Sequence, residues 1–444
     1  MVLFWCCAPQ GHFLRAGHNT LQRVHMNKPT LFGYGLTTKA IAKKLGGGCT
    51  FFDDRCEETY TDDDNNTIKP SNLFNPNESQ LEVTTPSLPP KHTLIKQAKH
   101  LLSEYDFFAL RQAQGTNITK SVAEPVEAKP FNIWISGTNG KTTTTQMLTH
   151  LLESRGAVSG GNIGTPLADL NENAPIWVLE SSSFTLHHTN IASPDIYLLL
   201  PITPDHLDWH VTPEVYEADK LKPLLTMQEG ELALVPKGLN LPKTNAYVVE
   251  YDSDAFLCEY FNLDSTKLNY KGAFLQDALL SLAISKVLFD ETDYALLNTF
   301  KRDAHRQEEL TDAKGRLWVN DSKATNLDAS IQAVKGYADK HIHLILGGDD
   351  KGVDMSPLFE QMKPLMLTLY TIGQNNNTLL TLAKQYNIQV IECHTIDVAV
   401  QSIDAHLTKE SIALLSPAAA SFDQFKSYKH RGEVFMELVK NLKK

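Results

Sequence analysis

Cysteine is scarce in this chain of 444 residues, and the six cysteines lack the paired spacing of a zinc site or a disulfide framework. They stand at Cys6, Cys7, Cys49, Cys56, Cys258 and Cys393. Positive charge is scarce too, because 52 acidic residues outnumber 41 basic ones and leave a net charge of −11. Nucleic acids and anionic membranes bind clustered Lys and Arg, so both are disfavoured as general partners. Any bound phosphate group must sit in a local pocket.

Long apolar runs are also missing. The stretch 196–203, IYLLLPIT, has the length of a strand and falls far short of the roughly 20 residues that cross a bilayer. The apolar start of the chain lacks the basic segment of a signal peptide. We therefore expect a cytoplasmic protein without membrane insertion. We interpret residues 1–25 as an upstream extension, since Met26 is a plausible start just before the first strand.

The third glycine of a dinucleotide fingerprint is absent as well. Segment 30–36 predicts a strand that enters a glycine turn, and 38–45 predicts a helix, but Thr38 occupies the position of that third glycine. We therefore infer no nicotinamide cofactor. A second apolar strand, 50–54, ends in two acids, and the polar stretch 61–80 predicts a loop.

Beyond an irregular linker at 115–130, apolar strands alternate with helices. Strands are predicted at 131–136, 176–181, 196–203, 316–321, 341–349, 367–373 and 410–417, with a helix from Lys141 to about Arg155. Near-continuous apolar strands separated by helices favour an α/β fold with parallel sheets covered on both faces. With this length we expect three domains, at 26–129, 130–302 and 303–444.

The strongest local motif is the loop 136–145, SGTNGKTTTT, between a predicted strand and a predicted helix. Backbone N–H groups of such a loop converge on phosphate oxygens, and the helix N-terminus adds positive partial charge. Lys141 can reach the outer phosphates and Thr142 can hold Mg²⁺. Ile135 replaces the first glycine of the common phosphate-loop pattern, so the motif is a variant. It predicts ATP binding.

Two other polar segments follow predicted strands, 180–184 (ESSSF) and 204–210 (PDHLDWH). Ligands gather at the carboxyl ends of strands in an open α/β sheet, so Glu180 and His206 could converge on the phosphate loop. Mg²⁺ prefers oxygen ligands, which favours Glu180 for one ion, with His206 helping to hold a second. Taken alone, Glu180 is a common kind of strand-end acid, and a lone histidine such as His206 is more often a surface side chain.

The loop sequence GTNGKT resembles that of the Mur ligase and folylpolyglutamate synthase superfamily. Four later segments are similar to the Mur ligases that add D-glutamate: AHRQEE at 304–309, NDSKATN at 320–326, GGDDKGVDMSPL at 347–358 and the segment 415–435. The resemblance covers residues 130–435 and is weaker for 27–129. It implies a Rossmann-like domain that binds a UDP-linked substrate, a central phosphate-loop ATPase-like domain and a Rossmann-like domain that binds the amino acid.

The resemblance also implies an activity, the ATP-dependent addition of D-glutamate to UDP-N-acetylmuramoyl-L-alanine through an acyl phosphate, by a monomer. The catalytic residues would be Lys141, His206 and Lys220, and Lys220 could carry a carbamate that binds Mg²⁺ with Thr142, Glu180 and His206. The implied nucleotide contacts are Gly137, Thr138, Asn139, Gly140, Lys141, Thr142, Thr143, Arg306, Asp321 and Lys323. The implied substrate contacts are Thr37, Asp53, Arg55, Asn162, Thr325, Lys351, Ser421 and Tyr428.

One segment departs from the family pattern. Where the family has an asparagine-bearing helix near the adenine, this chain has GAFLQDALLSLA at 272–283, with apolar residues at the expected positions. Three other functions stay open: a related ligase for another amino acid or for folate, a phosphate-loop ATPase or kinase without ligase activity, and a UDP-sugar-binding protein without catalysis.

Overall fold

A computed structural model describes residues 28–115 and 129–442. The predicted extension at 1–25 and most of the predicted linker at 115–130 lie outside these ranges. The chain divides into two compact units, Met1–Glu104 and Tyr105–Lys444. Among the described residues, no helix has the length and apolar character to cross a membrane.

The first unit contains a six-stranded sheet in the order β3-β4-β2-β1-β5-β6, parallel except for the pair β3 and β4. Its strands are β1 (Thr30–Phe32), β2 (Thr50–Asp53), β3 (Tyr60–Thr61), β4 (Thr67–Pro70), β5 (Glu82–Thr84) and β6 (Leu101–Leu102). Its helices are α1 (Leu36–Lys44) and α2 (Thr93–Gln97), and α3 (Glu104–Gly115) follows. The predicted loop at 61–80 is wrong in part, because Ile68 is buried in β4 and pairs with Phe51 of β2.

The second unit contains two sheets, and all six strands of the first of them are parallel, in the order β12-β11-β10-β7-β9-β8. They are β7 (Phe131–Ser136), β8 (Ala157–Gly161), β9 (Ile176–Glu180), β10 (Ile196–Leu199), β11 (Leu232–Pro236) and β12 (Tyr247–Tyr251). The helices are α4 (Lys141–Leu152), α5 (Ser183–His188), α6 (Leu207–His210), α7 (Pro213–Leu221), α8 (Pro223–Thr226), α9 (Asp254–Phe261), α10 (Ala273–Phe289) and α11 (Tyr294–Leu297). Strand β10 ends four residues before its predicted end, because Pro201 cannot donate to a ladder.

The other sheet of this unit has the order β13-β14-β18-β15-β16-β17, with β13 antiparallel to β14 and the remaining pairs parallel. Its strands are β13 (Glu308–Thr311), β14 (Leu317–Asn320), β15 (Ile342–Leu346), β16 (Leu367–Ile372), β17 (Gln389–His394) and β18 (Ile412–Leu415). The helices are α12 (Leu327–Gly336), α13 (Ser356–Met362), α14 (Asn376–Tyr386), α15 (Ile396–Asp404) and α16 (Tyr428–Lys440).

The central strands of this last sheet are apolar on both faces. Leu344 of β15 packs into one hydrophobic core and its neighbour Ile345 into the other, and both are fully buried. Successive side chains of a strand point to opposite faces, so both faces of the sheet are covered. The predicted α/β fold with parallel sheets is confirmed. The domain boundaries at 129/130 and 302/303 remain a prediction.

Candidate active site

The loop between β7 and α4 approaches its neighbours so closely that it needs glycine at two positions. Gly137 has φ +137°, and a Cβ there would lie 2.5 Å from Cβ of Leu200. Gly140 has φ +83°, and a Cβ there would lie 2.7 Å from Oδ1 of Asp277. Side chains rarely adopt these backbone angles. The loop therefore closes directly onto the end of β10 and onto α10.

Thr138 fastens this loop to the segment that follows β10. Its N–H donates to the carbonyl of Pro201 at 3.1 Å, and its hydroxyl donates to the carbonyl of Thr203 at 2.9 Å. The N–H of Thr203 donates back to the Thr138 hydroxyl at 2.9 Å. The same segment continues into Asp205 and His206, so these hydrogen bonds fix the start of that segment relative to the loop.

Asn139, at the tip of the loop, contacts the start of helix α12. The amide of Asn139 donates to Asp328 at 2.8 Å, and the amide of Asn326 donates to Asn139 at 3.2 Å. Asn326 caps α12, with its side-chain oxygen accepting from Ala329 N–H. The phosphate loop is therefore tied to the N-terminus of α12.

These elements enclose a cavity of about 340 Å³. Most of the predicted residues of the second unit line it: Thr138, Asn139, Gly140, Lys141, Thr142, Thr143, Asn162, Glu180, His206, Arg306, Asp321, Lys323, Thr325 and Lys351. Gly137 and Lys220 do not line it. They contact each other instead, because Nζ of Lys220 donates to the carbonyl oxygen of Gly137 at 2.7 Å.

The lining carries four cationic groups, on Lys141, Arg306, Lys323 and Lys351. Burial lowers the pKa of Lys141, and Arg306 lowers it further while Glu180 and Asp205 oppose the shift. Burial and then Arg306 also lower the pKa of Lys323. Like charges disfavour one another in a confined space. A polyanionic ligand would relieve this repulsion.

Two acids in the lining are held partly neutral. Burial raises the pKa of Asp277 to about 7, against the hydrogen bond that it accepts from the Thr144 hydroxyl at 3.0 Å. Burial also raises the pKa of Asp321 to about 7, although Ser416 donates to it at 2.8 Å. The cavity near neutral pH is therefore more positive than its residue types suggest.

Glu180 ends β9 at the edge of the cavity. Its Oε1 accepts a hydrogen bond from the amide of Asn162 at 2.9 Å. Its Oε2 is buried and has no hydrogen-bond partner among the described residues. A buried carboxylate oxygen without a partner is costly, and a cation would satisfy it.

His206 lines the same cavity and has a left-handed backbone conformation, with φ +53°. Its ring contacts Phe184, with ring centroids 4.8 Å apart. Burial lowers the pKa of His206, and the nearby Lys141 and Lys220 add to this against the opposing effect of Asp205. The lowered pKa favours the neutral imidazole, which is the form that can act as a ligand or hydrogen-bond acceptor.

Lys220 on α7 is 1% exposed. Burial, followed by the charge of Lys141, places the pKa of Lys220 well below its usual value. Its ammonium also lies 4.7 Å from the centre of the Tyr216 ring. A lowered pKa favours the neutral amine of a buried lysine, which is the nucleophilic form.

The loops after β15 and β18 meet beside the cavity. Asp349 and Ala420 exchange two backbone hydrogen bonds, of 3.0 and 2.9 Å, which brings the loop of Lys351 next to that of Ser421. Ser421 is buried and does not line the cavity. Tyr428 does not line it either, but its ring lies 4.1 Å from the ammonium of Lys323.

The three predicted contacts of the first unit form a separate group around the glycine turn after β1. Asp53, at the end of β2, accepts from the N–H of Tyr34 at 2.6 Å and from Nε of Arg55 at 3.1 Å. Burial raises the pKa of Asp53, but these donors outweigh it and leave the pKa below its usual value. Thr37 lies in the first turn of α1.

The sequence interpretation did not select several residues of the cavity. The additional lining residues are Asp205, Ala273, Phe274, Asp277, Gln307, Ala324, Asn326, Ala329 and Gln332. Asp277 was detectable, because it is the single charged residue in the largely apolar stretch 272–283. Helix α10 thus reaches the site through an aromatic and an acid instead of the asparagines of the family pattern.

Comparison with family models supports the same reading of this site. The Mur ligase middle domain matches residues 135–267, and the Mur ligase glutamate ligase domain matches residues 305–419. These two segments include the phosphate loop, Glu180, His206 and Lys220, and then the loops of Lys323, Lys351 and Ala418. The chain belongs to the Mur ligase family and is a ligase.

Two curated relatives with the same name are similar to almost the whole chain. The UDP-N-acetylmuramoylalanine–D-glutamate ligase of Campylobacter jejuni is 47% identical over 418 residues, which are 94% of this chain and 100% of the relative. The enzyme of the same name from Helicobacter pylori is 45% identical over 430 residues, 93% of this chain and 99% of the relative. Both similarities extend through the first unit, which the two family models do not reach.

Solved structures share the fold at much lower identity. The MurF ligase of Thermotoga maritima, in complex with ADP, has a TM-score of 0.54 at 15% identity and covers 81% of this chain and 88% of its own. MurF of Acinetobacter baumannii has a TM-score of 0.55 at 14% identity and covers 92% and 91%.

Proposed function

We propose that this protein is an ATP-dependent ligase that adds D-glutamate to UDP-N-acetylmuramoyl-L-alanine. The observation that carries the proposal is a single cavity that joins a phosphate-binding loop to Thr325 and Lys351. Phosphates need backbone N–H groups and cations, and an amino dicarboxylate needs cations and hydroxyl groups. The names of the curated relatives support the choice of both substrates.

The nucleotide in this proposal is ATP. Its phosphates would bind the loop from Gly137 to Thr143, with Lys141 as the nearest cation, and Arg306, Asp321 and Lys323 would contact the rest of the nucleotide. A second cavity of about 450 Å³ shares Phe274 and Gln307 with the first and is also lined by Tyr270, Phe300 and Tyr337. Aromatic faces of this kind suit a nucleotide base.

Magnesium fits the donors present. No group of three His, Cys, Asp or Glu side chains within the described ranges forms a metal site by itself. This agrees with an ion that binds one or two protein carboxylates and takes its remaining oxygen ligands from phosphates and water. The unpaired Oε2 of Glu180 is the best candidate ligand, and Thr142 and His206 line the same cavity. Bound Mg²⁺ would neutralise charge on the phosphates.

Lys220 is the proposed site of a carbamate. Its neutral amine could attack the carbon of CO₂ and lose a proton, which would leave an anionic group with two oxygens. The conversion would replace a buried amine, whose charging is opposed by Lys141, with an anion that Lys141 and Mg²⁺ stabilise. Lys220 would then join the metal-binding groups.

Two steps complete the proposed reaction. The alanine carboxylate attacks the γ-phosphorus and ADP leaves, which gives an acyl phosphate. The amine of D-glutamate then attacks the acyl carbon, loses a proton, and inorganic phosphate leaves as the amide forms. The protein supplies alignment and charge neutralisation for both steps, mainly through Lys141 and Lys323.

The remaining assignments follow the substrates. D-glutamate would contact Thr325, Lys351, Ser421 and Tyr428, and Asn162 would contact the muramoyl substrate. The uridine diphosphate would bind in the predicted domain 26–129, at Thr37, Asp53 and Arg55. We propose a cytoplasmic monomer, in keeping with the free cysteines at Cys49, Cys56, Cys258 and Cys393.

The test is a reaction with ATP, Mg²⁺, UDP-N-acetylmuramoyl-L-alanine and either D- or L-glutamate, with the product identified by mass. We expect the amide with D-glutamate only, and a loss of about 100-fold or more for Lys141→Ala. Lys237→Ala, an exposed lysine away from the cavity, is the matched control and should retain full activity. ADP release without any amide product would favour an ATPase and contradict the proposal.

A further inference from the structure

A buried carboxylate behind the cavity holds two histidines. Oδ1 and Oδ2 of Asp219 lie 2.8 and 2.9 Å from Nδ1 of His187, and Oδ2 lies 2.8 Å from Nδ1 of His210. Nε2 of His210 in turn lies 2.9 Å from the hydroxyl of Ser183. These four side chains, Ser183, His187, His210 and Asp219, form the Asp219 network.

Its geometry resembles that of a nucleophilic serine with a histidine and an acid. However, Ser183 is 4% exposed and His210 is 1% exposed, so a substrate could not reach the serine. A nucleophile must contact its substrate. The network therefore acts on its surroundings and not on a substrate of its own.

Those surroundings are the elements that carry the proposed metal-binding groups. Ser183 begins α5, three residues after Glu180. His210 ends α6, which begins directly after His206. Asp219 lies on α7, immediately before Lys220. One carboxylate thus connects the three backbone segments that bear Glu180, His206 and Lys220.

Phe184 extends the connection to the ring of His206. It stacks on His210 with ring centroids 5.5 Å apart and planes inclined by 9°. Its ring also contacts the ring of His206, with ring centroids 4.8 Å apart. Phe184 therefore packs against both His210, which Asp219 and Ser183 hold, and the ring of His206, whose backbone has a left-handed conformation.

We infer that Asp219 is a positioning residue for the metal-binding side of the site, acting through His210 on Glu180, His206 and Lys220. The inference rests on the proposed function, because it concerns the magnesium ion of that reaction. Hydrogen-bond partners of metal-binding side chains commonly change metal affinity or activity by 10- to 100-fold when they are replaced. Asp219 would act one contact further out.

Asp219→Asn is the test. Asparagine retains the shape of the side chain, but it is uncharged and has only one oxygen that can accept hydrogen bonds from the two imidazoles. We expect the half-saturating Mg²⁺ concentration to rise about 10-fold and kcat to fall, with the KM for D-glutamate unchanged. Glu217→Gln removes an acid from the same helix outside the network and should change none of these values.

Two measurements do not depend on turnover. Binding of Mn²⁺ in the presence of ADP, followed by electron paramagnetic resonance, should weaken by a similar factor. Incorporation of isotopically labelled bicarbonate at Lys220 should fall, because the amine would no longer be held beside the metal-binding groups. Unchanged Mn²⁺ affinity together with an unchanged Mg²⁺ requirement would overturn the inference.

If Asp219→Asn does not fold, Ser183→Ala removes one hydrogen bond at the far end of the network. A rise of about two- to threefold in the half-saturating Mg²⁺ concentration would support the inference, and an unchanged value would overturn it. Failure of the proposed function is a separate result, since it would appear as absence of the D-glutamate amide with the unaltered protein.

Discussion

Replacing Asp277 with Asn should stabilise the protein most above neutral pH and have little effect below about pH 4. Burial raises the pKa of Asp277 to about 7, whereas an aspartate in an unfolded chain has a pKa of about 3.9. Between about pH 4 and pH 7 the unfolded chain has therefore lost a proton that the folded protein still holds. The free energy of unfolding therefore falls as pH rises through this range, and the loss is complete above about pH 7.

The size of the effect follows from the difference of about three pKa units. At 1.36 kcal/mol per unit, the ionised carboxyl costs about 4 kcal/mol above neutral pH. Asparagine has the same shape, carries no charge, and can still accept the hydrogen bond from the Thr144 hydroxyl. We therefore expect the variant to exceed the parent in free energy of unfolding by at most about 4 kcal/mol near pH 8.5.

The assay is urea unfolding at about pH 5 and about pH 8.5, followed by tryptophan fluorescence. Two of the contributing tryptophans, Trp134 and Trp177, are buried in the sheet against which α4 and α10 pack. Asp290→Asn, at the exposed end of the same helix, is the control and should show no pH-dependent gain. A difference between Asp277→Asn and the parent that is equal at both pH values would refute the reasoning. So would a variant that is less stable near pH 8.5.

Two further substitutions test other contacts. Gly137→Ala should lower the melting temperature, because the new Cβ would lie 2.5 Å from Cβ of Leu200 at φ +137°, at a cost of roughly 1–3 kcal/mol; Gly164→Ala, at φ +117° with open space around it, should cost less, and equal losses would show that the contact is unimportant. Arg316→Leu leaves the buried Asp312, which it contacts at 2.7 Å, without its cation and should destabilise by about 3–5 kcal/mol at neutral pH. Burial raises the pKa of Asp312, but hydrogen bonds from Arg316 outweigh it and leave the pKa lowered, so the deficit should shrink as pH falls below about 4 and Asp312 is protonated. A deficit in urea midpoint that is independent of pH would contradict this assignment.

Sequence reasoning succeeded where local pattern and chemistry coincide. The central strands of the two later sheets are mostly apolar, and the phosphate loop combines glycine, lysine and threonine in an order with few other uses. It was less successful with the boundaries, as with β10, which proline ends early, and with β4, whose single buried Ile68 was hidden in a polar stretch. Short strands of this kind are specified by their neighbours in the sheet and not by their own sequence.

The site showed the same division. Lys141, Glu180 and His206 follow strands, so topology alone predicted that they would converge. Asp277 and Phe274 come from a helix far along the chain, and their arrival in the cavity depends on how α10 packs against α4. The Asp219 network was likewise out of reach, because its partners are brought together by the packing of three short helices.

The hydrogen bonds from Thr138 to Pro201 and Thr203 constrain the lengths of two chain segments. Because both segments are held at Thr138, the segment from Gly137 to Lys141 and the segment from Leu200 to His206 must each keep its own length. An inserted residue in either segment would displace its far end by up to about 3.5 Å, which exceeds the reach of a hydrogen bond. Outside the glycines and the residues that line the cavity, sequence drift in these two segments should therefore tolerate exchange of side chains far better than a change in segment length.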